Sequence, residues 1–209
     1  MTATAIKPIT IEEFLELSET KPASEFIDGQ IIQKPMPQGE HSLLQGALCE
    51  SVNQVAKSQK VAIAFPELRC VFGGRAIVPD IAVFRWERIP RLASGRIANR
   101  FEIYPDWAIE ILSPDQRYKQ VLGKLLHCAK YGTEIGWLID SEDENILVVD
   151  SDCRVIELKD SDRLPVLSGI DLELTVQQVF IAVCKKVRTG SKIEKELKVK
   201  KWEQLTQKI

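Results

Sequence analysis

The chain is poor in the residues that build metal clusters and disulfide frameworks. It has two histidines, His41 and His127, and five cysteines, Cys49, Cys70, Cys128, Cys153 and Cys184, with no CxxC pair among them. No zinc-ligand spacing exists, and the odd, scattered thiols fit free cysteines in a reducing cytosol. No apolar run approaches the roughly 18–20 residues of a membrane span. The segment Met1–Pro8 lacks the apolar core of a signal peptide, so a soluble, cytoplasmic protein is expected. A surplus of positive charge is missing too: 28 Lys plus Arg stand against 30 Asp plus Glu, a formal net charge of −2. Proteins that coat nucleic acid without specificity are usually basic. Contact with nucleic acid must therefore come from local patches.

What is present is the make-up of a globular domain, with 44% hydrophobic and 28% charged residues in a chain of 209. That suffices to bury a core. Without an internal repeat or low-complexity linker, residues 1–184 read as one domain. Residues 185–209 read as a lysine-rich tail, helical or frayed.

Local patterns place the elements. Thr10 and Glu13 form a capping-box pair that opens a short helix. Apolar residues flank Asp28-Gly29 in a run from Ser24 to Gln33, which predicts a hairpin with a type I′ turn. Leu44, Ala47, Leu48, Val52 and Val55 recur at helical spacing from His41 onward. Val61–Phe72 and Ile77–Phe84 read as two β runs, and Asp106–Leu112 as a strand. Ser113 as N-cap, Pro114 at the first position and Gln116 predict a helix starting there. Its apolar stripe is Tyr118, Val121, Leu122, Leu125, Leu126 and Ala129, and Gly132 ends it. A hairpin about Ser141–Glu144, a strand at Val155–Leu158 and a last helix within Leu172–Val183 complete the body.

Two strands carry a lone acid among apolar neighbours: Asp80 in Ile77–Phe84 and Glu110 in Trp107–Leu112. Strands apolar on both faces are usually central in a covered sheet. An unpaired carboxylate buried there costs several kcal/mol, so it must be paired, protonated or bound to metal. For Asp80 alone, a residue capping the loop after Pro79 is the plain alternative; for Glu110, it is a buried ion pair with an arginine. Two such acids together suggest convergence on one cation, and Mg²⁺ suits a pair of carboxylates completed by waters and phosphates.

Pro79-Asp80 followed by Glu110-Ile-Leu resembles the Pro-Asp…(Asp/Glu)-X-Lys signature of the PD-(D/E)XK nucleases. The ordered set of Glu25–Ile32, His41, Val78–Val83, Glu110–Pro114, Lys124–Gly132 and Gly136–Asp140 is similar to the Uma-type family of restriction-endonuclease-like proteins, over about Ile11 to Phe180. The resemblance implies an α/β fold: a restriction-endonuclease-like mixed β-sheet flanked by helices on both faces, with an N-terminal hairpin. It implies an endonuclease that hydrolyses DNA phosphodiester bonds with Mg²⁺ or Mn²⁺ held by Asp80 and Glu110, acting as a homodimer. The signature lysine position holds Leu112, and the family pattern transfers that role to Lys124 on the following helix, making Asp80, Glu110 and Lys124 the catalytic set. Glu25 and His41 match family positions and are candidates to line the site. A non-catalytic nucleic-acid- or protein-binding descendant of the fold is the alternative, favoured by the acidic balance and by Leu112. The arginines at 85, 88, 91, 96 and 100, with Trp86 among them, read either as a phosphate-contacting patch or as a solvated loop paired with Glu87 and Glu102. The second reading is preferred.

Overall fold

Thr10 caps the first helix as its sequence predicts. The Glu13 N–H donates to the Thr10 hydroxyl, and the Thr10 N–H donates to the Glu13 carboxylate. The computed structural model describes residues 9–114 and 116–181; the lysine-rich tail and Cys184 lie outside the described residues. After α1 (Ile11–Leu15) come β1 (Ser24–Ile27) and β2 (Gln30–Gln33), joined through Asp28 and Gly29 at φ 51° and 80°. Both angles are positive, as a type I′ turn requires.

Next follow α2 (Gly39–Ala56), β3 (Ala62–Pro66), β4 (Cys70–Phe72), β5 (Arg75–Ile77), β6 (Ile81–Arg85) and a 3₁₀ turn (Trp86–Arg88). The chain ends its described part with β7 (Trp107–Ile111), α3 (Tyr118–Tyr131), β8 (Ile135–Asp140), β9 (Asn145–Asp150), β10 (Val155–Lys159) and α4 (Val176–Phe180). A six-stranded sheet has the order β10-β9-β8-β7-β6-β3, and it is mixed because β7 and β8 run parallel across α3. A four-stranded antiparallel sheet, β2-β1-β5-β4, adjoins it.

Helices cover both faces of the large sheet, which explains why β6 and β7 are apolar on both sides. Trp107, Ile109 and Ile111 face Leu44, Leu48 and Val52 of α2 together with Val176 and Phe180 of α4. Ala82, Phe84, Ala108 and Leu138 face Val121, Leu125 and Cys128 of α3. Phe14 stacks on Phe26 and closes α1 over the small sheet.

Two expectations need correction. The apolar runs Val61–Phe72 and Ile77–Phe84 are each broken in two. Glu67 turns the first at φ 46°. Val78-Pro79-Asp80 interrupts the second, since proline has no N–H for the ladder. The helix expected from Pro114 begins at Tyr118 instead. Gln116 does reach back to the Ser113 N–H, but the Ser113 hydroxyl is engaged by His41. Gly132 ends α3 in the left-handed region, at φ 116°, as predicted.

Candidate active site

The break before β6 is what exposes Asp80 to its partners. Outside the ladder, the Val78 N–H donates to Glu25 Oε1 at 2.8 Å and the Val78 carbonyl accepts from Lys34 Nζ at 2.8 Å. Gln45 and the Glu67 N–H satisfy the Asp80 carbonyl. In the β6–β7 register Ile81 pairs with Ile109, so one further step sets Asp80 opposite Glu110. Residues directly opposite in an antiparallel pair share a face.

Both acids are buried at 1% exposure. Asp80 Oδ1 accepts from Lys34 Nζ at 2.6 Å and lies 3.3 Å from His41 Nε2; Oδ2 accepts from the Ile111 N–H at 2.7 Å. His41, in the first turn of α2, is oriented through its other nitrogen, 3.2 Å from the Ser113 hydroxyl. Lys124 reaches in from α3, with Nζ 2.9 Å from Glu110 Oε1 and 3.1 Å from Glu25 Oε1. The Glu110 contact is a buried ion pair. Glu110 Oε1 is buried, and the Lys124 amine is what compensates its charge.

The two carboxylates are driven apart electrically. Burial alone would raise the pKa of Asp80, but the His41 contact and the charges of Lys34, His41 and Lys124 outweigh it and hold it below the usual carboxylate range. For Glu110 burial prevails. Asp80 and Glu25 add to it, Lys124 and Lys34 offset it only in part, and its pKa is pushed up to about 7. Burial would lower Lys124, yet Glu110, Glu25 and Asp80 hold it above the ordinary lysine value. Carboxylates with divergent acidities in one pocket are a mark of acid–base or metal centres.

Glu25, His41, Asp80, Glu110 and Lys124 are therefore brought together. A cleft of about 240 Å³ between the β1–β2 hairpin and α3 reaches two of them, Glu25 and Lys124, and is also lined by Lys34, Gln116 and Gln120. No group of three or more His, Cys, Asp or Glu side chains among the described residues is disposed to hold a metal. Mg²⁺, however, commonly takes one or two carboxylates and fills its shell with water and phosphate. The buried Glu110 carboxylate opposite ionised Asp80 fits such an ion.

Lys34 and Gln45 escaped the sequence reading, as did the hydroxyl of Ser113 as a partner of His41. Lys34 carried no signal there: it is a lysine at a strand end before Pro35, indistinguishable from a surface residue. The arginine segment is a tethered loop. Arg85 pairs with Glu134 and Ser168, and Arg88 with Asp106, in place of Glu87 and Glu102. Arg91 lies over the Trp86 ring at 5.3 Å. The four described cysteines are free, and no described helix is long and apolar enough to cross a membrane.

Comparison with known proteins identifies the family and a similar structure. A family model, Uma2, described as "putative restriction endonuclease", matches residues 11–178. The crystal structure of a "putative nuclease belonging to DUF820" from Anabaena variabilis ATCC 29413 is 50% identical, with a TM-score of 0.81. The match covers 83% of this chain and 98% of that one. No curated protein matches. The fold is thus a mixed α/β, nuclease-like one.

Proposed function

Because this chain belongs to the Uma2 family, matched over residues 11–178, we propose that it is a metal-dependent endonuclease hydrolysing phosphodiester bonds of DNA. The observation that carries this reading is the meeting of two buried carboxylates, Asp80 and Glu110, opposite each other across β6 and β7, with Lys124 Nζ 2.9 Å from Glu110 Oε1. Asp80 and Glu110 are the residues that would hold Mg²⁺ or Mn²⁺, and the bound ion supplies an acidified water and charge neutralisation at the phosphate.

The protein groups divide the remaining work. Lys124 keeps a fixed positive charge at the cleft, where it stabilises negative charge growing on the phosphate. Glu25 anchors both Lys124 and the Val78 N–H, so it fixes the amine relative to the Pro79-Asp80 turn. His41, held by Ser113, steadies Asp80 in its ionised form. Cutting both strands of a duplex needs two such centres, and a homodimer supplies them; sedimentation showing monomer alone at micromolar concentration contradicts that part.

The test is cleavage of plasmid and single-stranded DNA in Mg²⁺ or Mn²⁺ by wild type and Asp80→Ala. Metal-dependent cutting that the variant loses is expected. Folded wild-type protein that cuts neither substrate contradicts the nuclease reading and favours a nucleic-acid-binding descendant of the fold.

A further inference from the structure

The residue that the chemistry above leaves without a task is Lys34. It follows β2 directly, its side chain is 6% exposed, and its amine donates to Asp80 Oδ1 at 2.6 Å and to the Val78 carbonyl at 2.8 Å. A positive charge therefore already sits on the carboxylate to which a divalent ion is assigned. Two cations drawn to one buried carboxylate repel each other strongly, because little solvent screens them.

We propose that Lys34 is a tethered counter-cation that a divalent ion must displace from Asp80, and that its occupancy sets the cation selectivity of the centre. The inference rests on the metal-site reading. Its logic is charge. Exchanging the ammonium for K⁺ brings no additional charge to Asp80 and forfeits the hydrogen bond to Val78. A divalent ion brings one charge more to a cluster in which Glu25, Asp80 and Glu110 meet Lys34, Lys124 and His41 among the described residues. The lysine therefore shuts out monovalent ions, which are abundant in cells, and yields to divalent ones. Displacement does not require the hairpin to open. The Lys34 backbone N–H is pinned to the Ala23 carbonyl at 2.9 Å, while the side chain lines the cleft and can turn into it.

Mn²⁺ binding, followed by the electron paramagnetic resonance of the free ion, tests this without DNA. Wild type, Lys34→Met and Asp80→Ala are compared in K⁺ and in tetramethylammonium chloride of equal ionic strength. Lys34→Met is expected to bind Mn²⁺ at least about tenfold more tightly in tetramethylammonium, and K⁺ should weaken binding to this variant but not to wild type. Binding by Lys34→Met that is no tighter than wild type overturns the proposal while leaving the metal site intact. Wild type that binds no Mn²⁺, or Asp80→Ala that binds it equally well, overturns the metal-site reading and this inference with it. Should Lys34→Met fail to fold, acetylation of Lys34 in wild type gives the answer by peptide mass spectrometry. The rate should rise severalfold when Mg²⁺ saturates the site; unchanged protection overturns the proposal.

Discussion

Lys124 Nζ lies 2.9 Å from Glu110 Oε1, although the two residues belong to different elements. The lysine of the usual nuclease signature would stand two residues after the acid, and here that position is Leu112, packed against the apolar layer under α3. Helix α3 supplies the amine instead, returning over the strand that precedes it. Since Glu25 holds the same amine at 3.1 Å, Lys124 ties the helix to both sheets.

Lys124→Met should therefore damage fold and chemistry together. Removing one partner of a buried ion pair costs about 3–5 kcal/mol, and losing one charge that stabilises a transition state costs roughly 10²–10³ in rate. Urea unfolding at pH 8 and cleavage assays under folding conditions check the two effects separately.

The raised pKa of Glu110 makes a prediction with a definite sign. An unfolded glutamate titrates near 4.5, whereas the folded one is pushed up to about 7. Between these values the folded chain holds a proton that the unfolded chain has lost, so this group's contribution to stability falls as pH rises through the window. In chelator, urea midpoints should show that downward slope for wild type, and Glu110→Gln should lack it.

Glu25→Gln keeps the shape but removes the charge shared by the Val78 N–H and Lys124. A loss of about 1–3 kcal/mol is expected from weakened hydrogen bonds to a charged group. Slower cleavage should accompany it, with Mn²⁺ bound more weakly but not lost, since one nearby negative charge is removed while Asp80 and Glu110 remain. Calorimetric metal titration beside a rate assay distinguishes this from loss of the metal site.

Gly132→Ala addresses the placement of α3. The residue sits at φ 116°, and an added Cβ would lie 2.7 Å from the Tyr104 ring. Destabilisation of at least about 1 kcal/mol is expected, since non-glycine residues are strained there. Thermal unfolding measures it.

Much of the fold was legible because it is written locally. The Thr10–Glu13 box and the Asp28-Gly29 turn each depend on residues within four positions, and both form as read. Asp80 and Glu110 stood out because a single acid in an apolar strand has no local explanation. Lys124 was legible only through resemblance, as its contact to Glu25 spans 99 positions. Lys34 was not legible at all: its partner Asp80 lies 46 positions away, in a kink that the apolar run conceals. The late start of α3 escaped for the same reason, since the Ser113 hydroxyl pairs with His41 across 72 positions.

On the proposed reading, Glu110 and Asp80 form one metal-dependent catalytic centre. Plasmid cleavage by wild type and Glu110→Gln, in Mg²⁺ and in chelator, tests it most directly, because the substitution preserves shape and removes the charge. Wild type should nick and linearise the plasmid in Mg²⁺ alone, and the variant should leave it supercoiled. A folded Glu110→Gln protein that cuts at the wild-type rate contradicts a catalytic role for this pair.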